Sequence, residues 1–178
     1  EGIADENDKL RADLAFKVSN PFRFKLIPCE VVSRRPSNWF ETVILDKGTS
    51  SGLTNDDVVI GKDGLVGRVV EAARNSSKVM LITDPESAIG VFFKRSGDLG
   101  VAVGGAMNAL QVKYVSAAAG VSPGDEVVTS GMGGVFPKGV AGGVVTKVSV
   151  RDYDLFKYIE LRPRTDFSKL DAAFVIVR

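Results

Sequence analysis

The most constraining feature of this chain is a segment that occurs twice. Residues 52–59 (Gly-Leu-Thr-Asn-Asp-Asp-Val-Val) align without gaps with residues 120–127 (Gly-Val-Ser-Pro-Gly-Asp-Glu-Val). Each copy is followed by a Gly-x-x-Gly-x-Val-Val run, at residues 64–70 and 139–145. Turns built on Gly and Asp, followed by β-branched strands with internal glycines, are typical of small barrels and sandwiches. The repeat therefore predicts a duplicated all-β body, although a Gly-turn-Val-Val pattern can also recur by chance in β proteins.

The repeat also predicts where the backbone turns and bends. We expect structural turns at Gly52, Gly120 and Asp125, because Gly and Asp suit tight and left-handed turns. Gly67 and Gly142 occupy the same place in the aligned runs. We therefore expect both of these glycines where a strand bends or another backbone comes close.

The rest of the chain after residue 27 has the pattern of strands separated by turns. Strands are predicted near residues 30–34, 42–45, 58–60, 64–72, 78–82, 88–93, 99–103, 110–116, 126–129, 140–150, 157–162 and 173–177. The glycine-rich stretch 104–108 is the best boundary between two units. The predicted organisation is a helix and linker at residues 1–26, a first β-barrel at 27–106 and a second at 107–178, with exchange of strands between the barrels as an alternative.

The first 18 residues have a different pattern, which indicates a helix. Ile3, Asn7, Leu10 and Leu14 are spaced alternately by four and three residues, which is the spacing of a coiled-coil seam. A single Asn in such a seam fixes the register of a parallel helix pair. The segment is therefore predicted to be the end of a dimeric coiled coil. The alternative is a helix packed on the first barrel, because barely two heptads are present and so short a helix is marginal in water.

Composition limits the classes of function. The 178 residues carry 23 basic and 22 acidic side chains, which gives a net charge of +1 and no global field that attracts nucleic acid or anionic lipid. The single cysteine, Cys29, cannot form an intramolecular disulfide. The chain begins without Met and contains no apolar run near the length that spans a bilayer. We therefore expect an excised soluble region, and any membrane anchor is expected to lie outside the sequence.

The sequence contains no recognisable catalytic or cofactor site. It has no histidine, so imidazole-based catalysis and histidine metal ligands are excluded. The pairs Asp56/Asp57 and Asp152/Asp154 lack calcium-loop spacing and are interpreted as turns. We predict no enzymatic activity and no cofactor. Two alternatives remain: a histidine-free two-barrel hydrolase with a Ser-Lys pair from distant segments, and a small β-barrel binding module for a glycan or an oligonucleotide.

Several fragments together carry a resemblance to a known family. They are Ser-Arg-Arg-Pro-Ser-Asn-Trp-Phe at residues 33–40, Leu-Asp-Lys-Gly at 45–48 with Gly-Leu at 52–53, Gly-Leu-Val-Gly-Arg-Val at 64–69, Leu-Ile-Thr-Asp-Pro at 81–85, Gly-Asp-x-Val-Val-Thr-Ser-Gly at 124–131 and Phe-Pro-Lys-Gly at 136–139. In this order they resemble the rod-shape-determining MreC family, from about Val31 to the C-terminus. The resemblance implies a bitopic bacterial protein with an N-terminal transmembrane helix, a coiled coil and a periplasmic body of two β-barrels.

The same resemblance implies a function. It implies a non-enzymatic scaffold of the cell-wall elongation machinery at the periplasmic face of the inner membrane. The implied partners are a second copy of the chain, a class B penicillin-binding transpeptidase, MreD and, through the membrane, the MreB system, with no nucleic acid.

A scaffold acts through its surface, so the candidate contact residues are aromatic or Arg anchors in a loop or along an unpaired strand edge. Arg35 and Trp39 lie in the only tight cluster of basic and aromatic residues. Phe136 is the centre of the loop 131–139, which makes the second repeat longer than the first. We predict that these three residues contact a protein partner. The phenylalanines expected to fill the cores are Phe22, Phe24, Phe92, Phe93, Phe156, Phe167 and Phe174.

Overall fold

The computed structural model describes residues 25–36, 41–105, 109–151 and 153–177, although not the side chains of residues 35 and 36. These residues form twelve strands and short 3-10 helices at Thr49–Ser51 and Phe167–Lys169. The strands are β1 (Lys25–Pro36), β2 (Glu41–Leu45), β3 (Val58–Ile60), β4 (Leu65–Ala72), β5 (Ser77–Leu81), β6 (Ala88–Phe93), β7 (Leu99–Gly104), β8 (Leu110–Ser116), β9 (Glu126–Thr129), β10 (Ala141–Ser149), β11 (Phe156–Pro163) and β12 (Ala172–Val177). Every predicted strand is present. The predicted N-terminal helix and its seam at Ile3, Asn7, Leu10 and Leu14 lie outside the described residues.

The strands close into two six-stranded barrels. Around the first barrel the order is β1-β12-β3-β4-β5-β2, and around the second it is β7-β6-β9-β10-β11-β8. The two orders match strand for strand, with β12 in the first barrel at the place that β6 has in the second. Each half of the chain therefore gives its sixth strand to the other barrel. The division between the sheets therefore does not follow the expected ranges 27–106 and 107–178. The second half begins with β7, and the exchange places β6 in the second barrel and β12 in the first.

The repeated segments form the same corner in each barrel. In the first corner the amide of Thr54 donates to the Asp57 carboxylate at 2.9 Å, and in the second the amide of Ser122 donates to Asp125 at 2.9 Å. The residue before each Asp has a positive φ, 72° at Asp56 and 92° at Gly124. The two copies therefore build equivalent turns, one in each barrel, as the repeat predicts.

The backbone requires glycine at one of the two aligned positions, Gly52 and Gly120, but not at the other. Gly52 has φ 96°, a left-handed conformation that favours glycine. Its counterpart Gly120 is not among the residues with positive φ, and a Cβ at this position would meet nothing within 4 Å. Glycine at the second position is therefore not demanded by geometry, which corrects the expectation for Gly120.

The strand after each corner shows that the aligned glycines are offset by one residue. Val59 pairs with Gly67, and the equivalent Val127 pairs with Gly143, not with Gly142. A Cβ on Gly67 would lie 2.0 Å from the Met80 carbonyl oxygen, and one on Gly143 would lie 2.6 Å from that of Arg162. The expected equivalence of Gly67 with Gly142 is wrong. In each barrel this glycine, Gly67 or Gly143, lies close to the backbone of the next strand. The strand pairing shifts register next to both glycines.

The core continues from one barrel into the other. Alternate residues Val59, Val66 and Val175 point into the first barrel and belong to its own apolar cluster. Their neighbours on the opposite face, including Ile60 and Phe174, are buried in the cluster that fills the second barrel. Because successive strand residues face opposite sides of a sheet, the outer face of β3 and β12 is covered by the second barrel. The apolar cluster of the second barrel therefore extends onto the outside of the first barrel, whose interior holds a cluster of its own.

Polar contacts reinforce the connections between the barrels. The amide of Glu41 in β2 donates to the Asp84 carboxylate at 2.8 Å, in the connection from β5 to β6. In the connection from β11 to β12, the Thr165 hydroxyl donates to the Leu65 carbonyl at 3.0 Å. Asp84 and Thr165 are both buried, where a lost hydrogen-bond partner costs about 1–3 kcal/mol. These contacts hold the two barrels in one arrangement.

Candidate protein-binding surface

The described residues contain no group of three or more His, Cys, Asp or Glu side chains that could hold a metal ion. The Cys29 thiol is buried, and burial raises its pKa to about 11, so it is protonated and unreactive near neutral pH. None of the helices in this part of the chain is long and apolar enough to cross a membrane.

The most unusual surface feature is at the tip of the hairpin that joins β10 and β11 in the second barrel. We use the name tip cluster for the exposed apolar residues Tyr114, Val150, Tyr153, Leu155 and Phe156. The Leu155 side chain is 79% exposed, and that of Tyr153 is fully exposed. Single exposed apolar residues are common on proteins, but a contiguous patch marks an interaction site. The hairpin tip is therefore the strongest candidate for a protein contact.

Tyr114 of β8 joins the hairpin through ring contact. The rings of Tyr114 and Phe156 lie 5.9 Å apart between centroids, in an edge-to-face arrangement at 90°. Such a pair is worth about 0.5–1.5 kcal/mol beyond the area that it buries. Phe156 pairs with Ser116 on the same neighbouring strand. The start of β11 is therefore held against β8, and the rings of Tyr114 and Phe156 support each other.

The backbone of Tyr114 is strained. Its φ is 65°, a left-handed conformation that costs a bulky residue about 1–3 kcal/mol. The ladder between β8 and β11 shifts register between Lys157 and Ile159, which are paired with Val115 and Val112. This bulge leaves Tyr114 unpaired and turns its ring outward. Strained backbone of this kind is concentrated at functional sites.

Charged groups border the tip cluster. The Arg151 guanidinium lies 5.1 Å from the centroid of the Tyr158 ring, in a cation–π contact. The Lys157 ammonium donates to the Ala119 carbonyl at 2.6 Å, which anchors the base of the hairpin. An apolar centre with a polar, charged rim is the usual composition of a protein interface.

Of the three residues predicted to make contacts, the structure describes the side chain of Phe136 alone. Arg35 lies in β1 and pairs with Thr42, but its side chain is outside the description, as is Trp39. Phe136 is only 9% exposed and packs in the cluster of the second barrel, because its apolar ring is covered when the loop folds back on the barrel. It is therefore a core residue, and the exposed large apolar side chain of that loop is Met132 at 64%.

Sequence reasoning missed the tip cluster. Phe156, expected in a core, is 47% exposed. A signal was present in the sequence: residues 150–156 read Val-Arg-Asp-Tyr-Asp-Leu-Phe, which places large apolar side chains beside turn-forming aspartates. Apolar residues in a hairpin turn have no inward side on which to be buried.

Comparison with known proteins identifies similar chains. The family model for the barrel core of the rod shape-determining protein MreC matches residues 31–177. The cell shape-determining protein MreC of Escherichia coli is 32% identical over 142 residues, which cover 79% of this chain and 39% of that protein. MreC of Bacillus subtilis is 30% identical over 188 residues, covering 99% of this chain and 64% of that protein. The chain thus spans about half the length of these relatives.

Comparison with solved structures also finds MreC proteins. A structure named MreC has a TM-score of 0.91 at 26% identity and covers 99% of both chains. MreC from Pseudomonas aeruginosa has a TM-score of 0.83 at 27% identity, covering 85% of this chain and 99% of that one. A complex between penicillin-binding protein PBP2 and MreC from Helicobacter pylori has a TM-score of 0.70 at 20% identity, over 88% and 99% of the two chains, and shows the fold alone.

Proposed function

The chain belongs to the MreC family of cell shape-determining proteins, and from that premise we propose that it is a non-enzymatic scaffold of the bacterial cell-wall elongation machinery. The partners that we propose are a class B penicillin-binding transpeptidase and a second copy of the chain. A complex of PBP2 with the Helicobacter pylori relative, and relatives described as forming a cell shape-determining filament, support these two partners. MreD and the MreB system are further proposed partners.

We also propose a location and an anchor. Relatives with this fold are described as periplasmic domains, which supports a place at the periplasmic face of the inner membrane. The proposed anchor is an N-terminal transmembrane helix outside this sequence, followed by a coiled coil whose seam includes Ile3, Asn7, Leu10 and Leu14. Arg35 and Trp39 remain proposed contact residues.

The observation that carries the scaffold function is the tip cluster. Two of its aromatic side chains, Tyr114 and Phe156, are exposed and are held by the bulge at Tyr114 and by the contact between their rings. Aromatic anchors dominate the binding energy of most protein interfaces. Holding them in place reduces the entropy that would be lost on binding. We propose that the tip cluster is the contact for the transpeptidase.

The test measures transpeptidase binding by tip variants. We expect Tyr153→Ser and Leu155→Ser each to weaken binding of the class B penicillin-binding protein from the same organism by at least tenfold, the effect of one interface hot spot. The measurement is biolayer interferometry, with thermal unfolding of each variant recorded beside it. Both side chains are exposed, so we expect unfolding temperatures close to that of the unchanged protein.

The matched control is Met132→Ser. Met132 is an exposed apolar side chain of the same barrel, but in the loop between β9 and β10. It tests whether any exposed apolar residue affects binding. Normal binding by both tip variants, or an equal loss in the control, would show that the transpeptidase contacts another surface.

A further inference from the structure

An open groove lies on the outer surface of the second barrel, beside the tip cluster. Its volume is about 650 Å3. It crosses β8, β11 and β10, and the polar or aromatic side chains that line it are Gln111, Lys147, Ser149, Arg151, Tyr158 and Glu160. We call it the β11 groove. Apolar surface makes up more of its lining, and these polar side chains stand within it.

The sheet register arranges these side chains in two rows. Glu160 of β11 is paired with Lys147 on one side and with Gln111 on the other. Tyr158 is paired with Ser149 in the next row. Directly opposite residues have Cβ atoms about 5 Å apart, and residues two apart along a strand are separated by about 7 Å. The groove is therefore a small grid of hydrogen-bonding groups.

The two rows differ in charge. Glu160 places a carboxylate in the first row, and Arg151 lies over the Tyr158 ring in the second. A guanidinium that stacks on a ring keeps its N–H edges free for an acceptor. A carboxylate and a guanidinium are thus placed in neighbouring rows of the groove, and these rows are about 7 Å apart along the strand.

The other cation of the groove, Lys147, forms no ion pair with Glu160. Lys147 is opposite Glu160 in the register, yet the ion pairs within 4 Å among the described residues do not include one between them. Both side chains are exposed and can turn to a ligand. The groove therefore offers a cation and an anion to the same bound molecule.

We propose that the β11 groove binds a short peptide that carries both a free carboxylate and a free amine. The carboxylate pairs with Arg151, the amine pairs with Glu160, and the peptide groups bond to Gln111 and Ser149. An extended dipeptide spans about 7 Å, which matches the spacing of the two rows.

The peptides of the bacterial cell wall have this chemistry. They end in a free carboxylate and carry the free amine of a diamino acid. The choice of this source depends on the proposed function, which places the protein beside wall synthesis. The shared chemistry could also come from a protein terminus, so the experiment includes peptides both with and without the wall sugars.

The experiment is a titration of the isotopically labelled protein observed by amide NMR. The probes are a wall-derived disaccharide-tetrapeptide, the same tetrapeptide without sugar, and a neutral tetramer of N-acetylglucosamine. We expect both peptides to shift the amides of Gln111, Lys147 and Glu160 saturably, and the neutral sugar to leave them unchanged. Tighter binding of the disaccharide-peptide would assign the wall as the source, and equal binding would assign recognition to the peptide part.

Variants test the two charges separately. We expect Arg151→Ala and Glu160→Gln each to weaken peptide binding at least tenfold, and Arg151→Lys to retain part of it because the positive charge remains. The control is Arg162→Ala, an exposed arginine two residues beyond Glu160 on the same strand. Loss of binding in this control equal to that in Arg151→Ala would overturn the proposal.

Transpeptidase binding, measured on the same variants, separates this proposal from the proposed function. Peptide binding that is lost in Arg151→Ala while the transpeptidase still binds would support a distinct site. Amides that do not shift at several millimolar peptide overturn the groove proposal, even if the transpeptidase binds. Equal shifts with the neutral sugar would overturn it as well, in favour of a glycan site.

Discussion

Two adjacent glycines in β10 allow a sharp test of the equivalence between the barrels. Alanine at Gly143 would place its Cβ 2.6 Å from the carbonyl oxygen of Arg162 and 3.2 Å from the carbonyl carbon. Alanine at Gly142 would meet only the Val127 carbonyl oxygen, at 3.4 Å, which is an ordinary contact. The two substitutions add the same methyl group to neighbouring residues of one strand, so their difference reports on the close approach alone.

The expected cost at Gly143 follows from what the new methyl group contacts. The obstacle is backbone of β11, which cannot rotate away as a side chain can, so the strands must separate. Overpacking of this kind costs about 1–3 kcal/mol, and a weakened ladder hydrogen bond adds about 1 kcal/mol. We therefore expect Gly143→Ala to lower the free energy of unfolding by about 2–4 kcal/mol. In a chain of this size that corresponds to a lower Tm by about 5–15 °C.

The neighbouring substitution has the opposite expectation. Gly142→Ala makes an ordinary contact and reduces the conformational freedom of the unfolded chain, an effect of about 0.4–1 kcal/mol in favour of the folded state. Its free energy of unfolding should stay within about 1 kcal/mol of the unchanged protein. Gly67→Ala, at 2.0 Å from the Met80 carbonyl oxygen, should behave like Gly143→Ala.

Urea unfolding followed by circular dichroism measures all three variants. The midpoint should fall for Gly67→Ala and Gly143→Ala while the slope stays constant, because the surface exposed on unfolding is the same. If Gly142→Ala costs as much as Gly143→Ala, the assignment of equivalent positions from the strand register is incorrect.

Two further predictions concern the second barrel. The hydrogen bond from Arg95 lowers the pKa of Asp125, so its ionised form stabilises the fold above the ordinary Asp pKa of about 3.9, and this contribution is lost as the pH falls below that value. Thermal unfolding between pH 6 and 2.5 should therefore be less pH-dependent for Asp125→Asn, and parallel curves would contradict this. Phe136→Ala should lower the free energy of unfolding by about 3–5 kcal/mol, with normal transpeptidase binding below its unfolding temperature; lost binding by a fully folded variant would instead restore Phe136 as a contact residue.

The strands could be predicted because their signals are local. The corner at residues 54–57 is specified by Thr, Asp and a residue that tolerates positive φ, and the β-branched run of β3 follows directly. The same logic gives the corner at residues 122–125 and β9. Short-range turn chemistry and period-two patterning are thus enough for the number and position of the strands.

The pairing of the strands could not be predicted in the same way. That β12 closes the first barrel depends on contacts between residues 25–30 and 172–177, which no local pattern encodes. The one-residue offset between Gly142 and Gly143 has a similar origin. A gapless alignment matches the two segments residue by residue. A bulge inserts one extra residue into a strand while the next pair of residues stays in register, so equivalent positions in the two barrels differ by one in the alignment.

The exposure of large apolar side chains, as in the tip cluster, could not be predicted from the sequence either. Tyr114 has a residue type and a strand position that suit burial, and only its positive φ turns the ring outward. Phe136 is the reverse case, since a loop residue is buried when the loop folds on the barrel. Exposure of a large apolar side chain is decided by tertiary structure, so contact residues are harder to predict than strands.

The exchange of β6 and β12 has a consequence for the proposed scaffold function. Neither half of the chain contains all six strands of a barrel, and the outer face of β3 and β12 is buried under the second barrel. Movement of one barrel against the other would expose this apolar face, at about 25 cal/mol for each Å2. The tip cluster and the β11 groove are both on the second barrel, so their positions relative to the first barrel are fixed by the same core that stabilises the fold. A partner bound to a surface held in this way is itself held in a fixed position relative to the first barrel, and no conformational change of the protein is needed.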